Sequence, residues 1–481
     1  MNRAWSEGSI CHLFRNMMIP TSFWMSAAST SKMLGRNFLT GSVVAAFVGT
    51  AVMIGGNRII LQNKFCDFSP SKASPNETMK AISYLKHGDT SVLSYTDDYP
   101  RPIPRDDQIL IRIKSSSINP CDFKFRRNRM IPIFLFPKPK IPGIDVAGIV
   151  VQVGKNVTTK FKVGDHVVAL LPAIGLRWGA AAEYTTVSES LVGKISIPET
   201  EMTSRRSGSS SNSDDEGDES SSTTTSSSKK ITFEEAASLP VVSLTTIQAF
   251  ENVPYCKQIM YQKEDSSSSS PQTQKQQRKV LIHAGAGGVG TFAIQYAKHV
   301  LGLYVATTAS SHKAQFLKEL GADEVIDYHT TNFEDVITDY DIVFDTMSWL
   351  YEDRTLNNNR NKKKSSVLRK DGYYINIISS DWSLSPNGLE ISNGFTTVWN
   401  WIRHQNVFSS SKKNNTTRRS RPNYVTVAVE PNGQHMQMAI DLLQQGKVHA
   451  VIDRKFPLTD TIQAYDYLEQ GHATGKVILV H

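Results

Sequence analysis

An apolar strand signal that runs straight into a glycine-rich turn constrains this chain more than any other feature. Residues 280–290 read VLIHAGAGGVG, with Gly285, Gly287 and Gly290 in G-x-G-x-x-G spacing, and residues 292–301 (FAIQYAKHVL) follow with helical periodicity. The spacing alone is a weak signal; a strand before it and a helix after it raise its value. Glycines let a backbone approach a pyrophosphate, and a helix start offers N–H donors and the positive end of a dipole. Gly288 and Val289 lie in the same turn and join the expected dinucleotide contacts. The alternation continues with strand candidates at 303–307, 324–327, 341–344 and 374–378 and a helix candidate at 313–320. Strands alternating with helices imply a doubly wound parallel sheet.

Upstream the pattern is different. Short strand candidates at 109–113, 146–153 and 166–171 are divided by Gly and Pro, which implies a compact, mostly β domain, and 233–239 reads as a helix. Between these regions lie tracts dominated by Ser, Thr, Asn, Gln and charged residues, at 201–229, 262–278, 356–366 and 409–421. Such tracts bury too little apolar surface to offset their ordering entropy, so they are expected to be disordered inserts. Setting them and residues 1–77 aside leaves roughly 330 residues, enough for a two-domain enzyme core.

The formal net charge is +8, but part of the basic excess lies in the last two tracts and near the N-terminus. No basic helix with interleaved aromatics appears, which argues against nucleic-acid binding. The four cysteines, Cys11, Cys66, Cys121 and Cys256, form no C-x-x-C pair, in keeping with a reducing compartment. Between Gly8 and Cys66 there is no acidic residue, while Arg15, Lys32, Arg36, Arg58 and Lys64 carry positive charge. This is the composition of an organelle targeting segment, with the mitochondrion expected and the plastid as alternative. Within it, 38–56 is uncharged and long enough to span a bilayer as a helix. Retention as a membrane anchor and removal with the address are both open readings.

The residues after the second Rossmann strand bear on the cofactor. A site for the unphosphorylated dinucleotide places Asp or Glu there to bind the ribose hydroxyls. Here residues 305–313 read VATTASSHK, and the first acidic residue after the glycines is Glu319. Ser310 can donate a hydrogen bond and Lys313 supplies a charge, so the expected cofactor is NADPH.

Several stretches together resemble the medium-chain dehydrogenase/reductase superfamily: SINPCDFKFR (117–126), IPGIDVAGIVVQVGKNVTTKFKVGDHVVAL (141–170), AAEY (181–184), EEAASLPVVSLTTIQAF (234–250), LIHAGAGGVGTFAIQYAK (281–298), LGADEVIDY (320–328) and GHATGKVIL (471–479). The zinc-free quinone oxidoreductase branch, with mitochondrial and chloroplast-envelope members, is the most similar. The likeness runs from Met79 to His481 apart from the inserts. It implies a GroES-like β domain at 78–245, a Rossmann NADPH-binding domain at 246–430, a return to the first domain through 431–481, and an active site in the cleft between them. A homodimer is a further expectation.

Zinc-bearing relatives have a Cys three residues before an aspartate, then a G-H-E motif. The matching positions are Asn119 before Asp122, and Gly143-Ile144-Asp145. Neither Asn nor Ile is a tight zinc ligand, and the four-cysteine structural lobe is missing, so no metal is expected. Without a Lewis acid, the simplest reaction is hydride delivery from NADPH to an acceptor that is already electrophilic, a quinone or an α,β-unsaturated carbonyl. The family carries Asn at the position of Asn119, and some members carry Lys at that of Lys124; both are expected near the acceptor oxygen. The bland alternative is that Asn119-Pro120 shapes a loop and Lys124 is solvated among Arg126, Arg127 and Arg129. Asp122 either holds that loop or pairs with Lys124. Tyr328 matches a family position near the adenosine phosphate. His472, Ala473 and Thr474 match a C-terminal cofactor contact, although the family often has a basic residue where Thr474 stands. Two rival functions are enoyl-thioester reduction and a membrane-tethered NADPH-binding scaffold without turnover. The physiological acceptor stays open.

Overall fold

The computed structural model describes residues 73–127, 139–158, 160–172, 178–196, 230–261, 277–347, 351–356, 366–377 and 422–481. The candidate span 38–56, the insert 201–229, the tract 409–421 and most of the tracts at 262–278 and 356–366 lie outside the described residues. Among the described residues no helix is long and apolar enough to cross a membrane.

Strand β1 (Ala73–Ser83) pairs antiparallel with β2 (Ser94–Pro102). It begins inside the stretch that the sequence assigns to the address segment. Strands β3 (Gln108–Ile118), β4 (Asp145–Val153), β5 (His166–Leu170), β6 (Tyr184–Ser188) and β7 (Val192–Lys194) build a second, largely antiparallel sheet. The chain then leaves through the helix Pro240–Glu251 into a six-stranded sheet. Its strands are β8 (Lys279–Ile282), β9 (Tyr304–Ala309), β10 (Glu324–Asp327), β11 (Tyr340–Asp345), β12 (Leu368–Ile377) and β13 (Asn423–Val427). Every pairing is parallel, and the order is β10-β9-β8-β11-β12-β13. A strand in the middle of such a sheet is covered on both faces, which is why 280–282 reads as an unbroken apolar run. Val280, Leu281 and Ile282 are each 0% exposed.

After β13, the helix Gly433–Gln444 packs back onto the first domain: Lys194 N–H donates to Gln437 Oε1 (2.9 Å), and Gln437 Nε2 donates to Lys194 O (3.1 Å). Strands β14 (Ile452–Pro457) and β15 (Lys476–Val480) complete the seven-stranded sheet, with β15 antiparallel to β3 and Val477 opposite Ile118. That register sets Lys476 beside Asn119.

Local structure departs from the sequence reading at three places. The expected helix at 292–301 is an α-helix at Gly288–Gln295 that loosens into a π turn at Tyr296–Val300. The strand expected from Tyr374 begins earlier, at Leu368, and takes in the polar Lys370-Asp371-Gly372. The segment after Asn119 is the helix Pro120–Arg127 rather than a loop. Proline suits the first helical position because its missing N–H is not needed there. Asp122 accepts the Asn119 N–H at 2.8 Å, the return half of a capping arrangement. Arg126 and Arg127 then tie the helix to Glu469, and the Arg126 guanidinium lies over Tyr465, 5.1 Å from the ring centre.

Candidate active site

The glycines of the β8–helix turn have different reasons to be there. A Cβ on Gly285 would collide with the buried Thr307 hydroxyl, and one on Gly290 would meet the Ala284 carbonyl and stand 2.7 Å from Gly285 Cα. Those two are demanded by strand–helix packing. Gly287 is different: the nearest neighbour of an added Cβ is Ala284 O at 3.4 Å. The protein's own atoms leave room for a methyl at Gly287, so an external group approaching the backbone is the better reason for glycine there. Gly287 is the N-cap of the helix Gly288–Gln295 and caps it with no side chain. The first-turn N–H groups of Gly288, Val289 and Gly290 have no acceptors within the helix. An anionic pyrophosphate fits such a cradle.

The C-terminal turn lies along this loop. Gly475 N–H donates to Ala286 O at 2.9 Å, and Gly287 and Gly475 bridge in parallel. His472, Ala473 and Thr474 are thereby carried beside the glycines, and Lys313 Nζ reaches the His472 carbonyl at 3.5 Å. Ser310 and Tyr328 leave the ends of the neighbouring strands β9 and β10 and meet, the Ser310 hydroxyl donating to the Tyr328 oxygen at 3.2 Å. His329, which sequence reasoning missed, also reaches Ser310, with Nε2 at 3.3 Å from Oγ.

The second cluster is deeply buried. Asp122 holds the Asn119 backbone N–H, and the Asn119 side chain is taken up by other partners. Its Nδ2 donates to Asp145 Oδ2 at 2.8 Å, and its Oδ1 accepts from Lys476 Nζ. Asp145 Oδ2 also accepts from Ser117 Oγ at 2.6 Å and from Lys476 at 3.2 Å, while Oδ1 takes the Val241 N–H at 3.0 Å. Asn119, Asp145 and Lys476 are 2%, 0% and 5% exposed. Buried charges survive only when paired and hydrogen-bonded, and both conditions hold here. Lys476 touches both halves of the site, since a Cβ on Gly288 would stand 3.0 Å from its Cδ. Asp145 enters the sequence reading only as a non-zinc position and Lys476 not at all. The signal for Lys476 is a lysine opening the apolar run VILV, where burial demands a partner.

Burial governs the titration of the neighbours. Asp122 is pushed up to about 7, chiefly by desolvation, with the Asn119 N–H opposing the rise. Lys140 is lowered to about 8 by its burial. The Cys121 thiol is raised well above its usual value by desolvation, which keeps it protonated and poorly nucleophilic. Lys124 is half-buried on the Pro120–Arg127 helix, within electrostatic reach of Cys121.

Zinc takes thiolate, imidazole or carboxylate ligands in a tetrahedral set, and the positions of Asn119 and Ile144 supply none of these. The Asn119 oxygen is already occupied by an ammonium, and Ile144 offers no donor. Among the described residues no three His, Cys, Asp or Glu side chains gather to hold a metal.

Residues 105–198 match the family described as alcohol dehydrogenase GroES-like domain, and 320–479 match that described as zinc-binding dehydrogenase. The 2-methylene-furan-3-one reductase of Solanum lycopersicum is 30% identical over 418 residues, 85% of this chain and 81% of that protein. The chloroplastic NADPH-dependent alkenal/one oxidoreductase of Arabidopsis thaliana is 29% identical over 414 residues, with the same coverage of 85% and 81%. Among solved structures, the quinone oxidoreductase from Coxiella burnetii is 25% identical with a TM-score of 0.60, covering 84% of this chain and all of that one. With a GroES-like domain, a parallel Rossmann sheet and sequence likeness running across most of both chains, the chain belongs to the medium-chain dehydrogenase/reductase superfamily.

Proposed function

We propose that the protein is a zinc-independent, NADPH-dependent oxidoreductase that transfers hydride to a quinone or an α,β-unsaturated carbonyl. The observation that carries this reading is the Asn119–Lys476–Asp145 cluster standing beside the glycine cradle, with Asn119 where the resemblance puts a cysteine in zinc-bearing relatives. The names of the tomato, Arabidopsis and Coxiella proteins support the same acceptor classes. Residues 78–245 form the catalytic domain, 246–430 the cofactor domain, and 431–481 the return segment. An organellar address carried by the N-terminal segment accords with its composition and with the chloroplastic relative.

Bound NADPH supplies the hydride. Gly285, Gly287, Gly288, Val289 and Gly290 would hold its pyrophosphate, Ser310, Lys313 and Tyr328 its 2′-phosphate, with the turn of His472, Ala473 and Thr474 beside it. When an enone or quinone is reduced, negative charge develops on its oxygen, and a fixed donor there stabilises the transition state more than the ground state. Asn119 spends one amide hydrogen on Asp145. Its second is held in a fixed direction for the acceptor oxygen. Lys124, on the helix that follows, would add a charge for that oxygen, and Asp122 fixes the Asn119 backbone.

The test is steady-state NADPH oxidation against 1,4-quinones, enals and enoyl thioesters. Turnover of the first two classes is expected. A clear preference for enoyl thioesters would replace the reading with thioester reduction, and tight NADPH binding with no oxidation of any acceptor would leave a scaffold.

A further inference from the structure

The ends of β9 and β10 place an imidazole where the proposed 2′-phosphate site has its hydroxyls. In parallel register Asp327 lies opposite Ala309, so the residues just beyond, Ser310 on one strand and Tyr328-His329 on the other, emerge side by side. His329 is held there. Its backbone N–H donates to Asp327 Oδ1 at 3.0 Å, its ring lies 4.2 Å from the Tyr328 ring centre to centre, and its Nε2 stands 3.3 Å from Ser310 Oγ. The same Ser310 hydroxyl bonds Tyr328. Three polar groups thus converge on one exposed point, and none of them is needed to satisfy the core.

We propose that His329 is a further donor to the 2′-phosphate and makes the preference for NADPH over NADH depend on pH. The inference rests on the NADPH reading above. A phosphate monoester carries up to two negative charges and three acceptor oxygens. Serine and tyrosine offer it neutral hydrogen bonds and Lys313 a permanent charge. Imidazole is the side chain whose charge changes across the physiological range, so this donor is strong when protonated and weak when neutral. The charged and titratable groups around it are Asp327 and Tyr328 on its own strand end, His312 and Lys313 on the facing turn, and Tyr351 beside Tyr328. Asp327, which attracts the His329 ring, and the arriving phosphate both favour the imidazolium. Binding of the phosphorylated cofactor therefore draws a proton onto His329, and binding of NADH does not.

Isothermal titration of the full-length protein with NADPH and with NADH, at pH 7 and pH 8.5 in buffers of different ionisation enthalpy, tests this. Both values lie above the second ionisation of phosphate, near 6, so the ligand itself changes little. The parent is expected to lose roughly fivefold to tenfold of its NADPH preference between them and to take up protons on binding NADPH only. His329→Gln should show a smaller preference with little pH dependence and no proton uptake, and His329→Lys a preference kept at pH 8.5. His329 is exposed, so both variants should fold. A preference that is strong in the parent but flat with pH, or unchanged in His329→Gln, overturns the role of His329 alone. Equal affinity for both nucleotides at every pH overturns the NADPH reading as well.

Discussion

Lys476→Met is the most revealing single change, because it removes one charge from a buried pair and keeps the apolar stem. Asp145 is 0% exposed and would lose the Lys476 ammonium that pairs with it at 3.2 Å. Breaking a buried ion pair by deleting one partner costs about 3–5 kcal/mol, since the other charge stays buried and uncompensated. Asp145 would still hold three neutral donors, Ser117 Oγ, Asn119 Nδ2 and Val241 N–H, at 2.6, 2.8 and 3.0 Å. That places the expected cost at the lower end, about 3 kcal/mol. Asp145→Asn alone leaves the Lys476 ammonium with neutral acceptors, among them the Asn119 Oδ1 and, at 3.4 Å, the Ile118 carbonyl. Removing both charges leaves a neutral cluster, so the double variant should be less destabilised than the two single costs added together, with about 2 kcal/mol of coupling. Urea denaturation of the four proteins measures this. Lys476 is a positioning residue, so kcat should also fall on the order of tenfold or more as Asn119 loses its anchor, with a smaller change in NADPH affinity. If Lys476→Met unfolds within about 1 kcal/mol of the parent and the two single effects simply add, the ion pair contributes nothing and the argument from charge burial fails.

Three other outcomes follow from the same geometry. Gly287→Ala should fold as the parent does and lose NADPH affinity, whereas Gly285→Ala and Gly290→Ala should lose stability first; melting curves beside nucleotide titrations separate the two, and equal melting losses in all three would refute the distinction. Lys124→Met should lower kcat by a factor on the order of 10² while NADPH affinity stays near the parent value, more for enals than for strongly oxidising quinones, and full turnover with both classes would return Lys124 to a structural role. His283, 0% exposed and stacked on Tyr351, is lowered to about 3 by burial and then by Arg354, so its folded value lies below the ordinary one near 6.5. The stability it contributes is present above pH 6.5 and lost as pH falls towards 3, at up to about 1.4 kcal/mol per pH unit, and His283→Phe should flatten that acid limb in urea melts at pH 4.5 and 7.

The parts of the fold legible in the sequence are those whose cause is local. The run at 280–282 is apolar because neighbours cover both faces of β8, and the glycines follow it directly, so strand, turn and helix start announce themselves within a dozen or so residues. The helix Pro120–Arg127 does not, because FKFRR has no apolar stripe of its own. It is held by Arg126 and Arg127 on Glu469, partners 343 and 342 residues away. Sequence spacing also treats Gly285, Gly287 and Gly290 as equivalent. Only the packed neighbours separate two glycines required by the protein from one with room for a methyl. The charge cluster was the least legible of all, since Lys476 meets Asn119 across 357 residues and Asp145 across 331. Its logic appears only with strand register. Once Val477 lies opposite Ile118 in antiparallel pairing, the next residues outward are Lys476 and Asn119, and a lysine entering an apolar strand must bring its ammonium to a buried acceptor. Asp145, opposite Ser117 on β4, is the carboxylate within reach. Three residues that are unremarkable one at a time become a single charged unit because two sheet registers converge on them, and the Lys476 stem carries that unit up against Gly288 of the glycine turn.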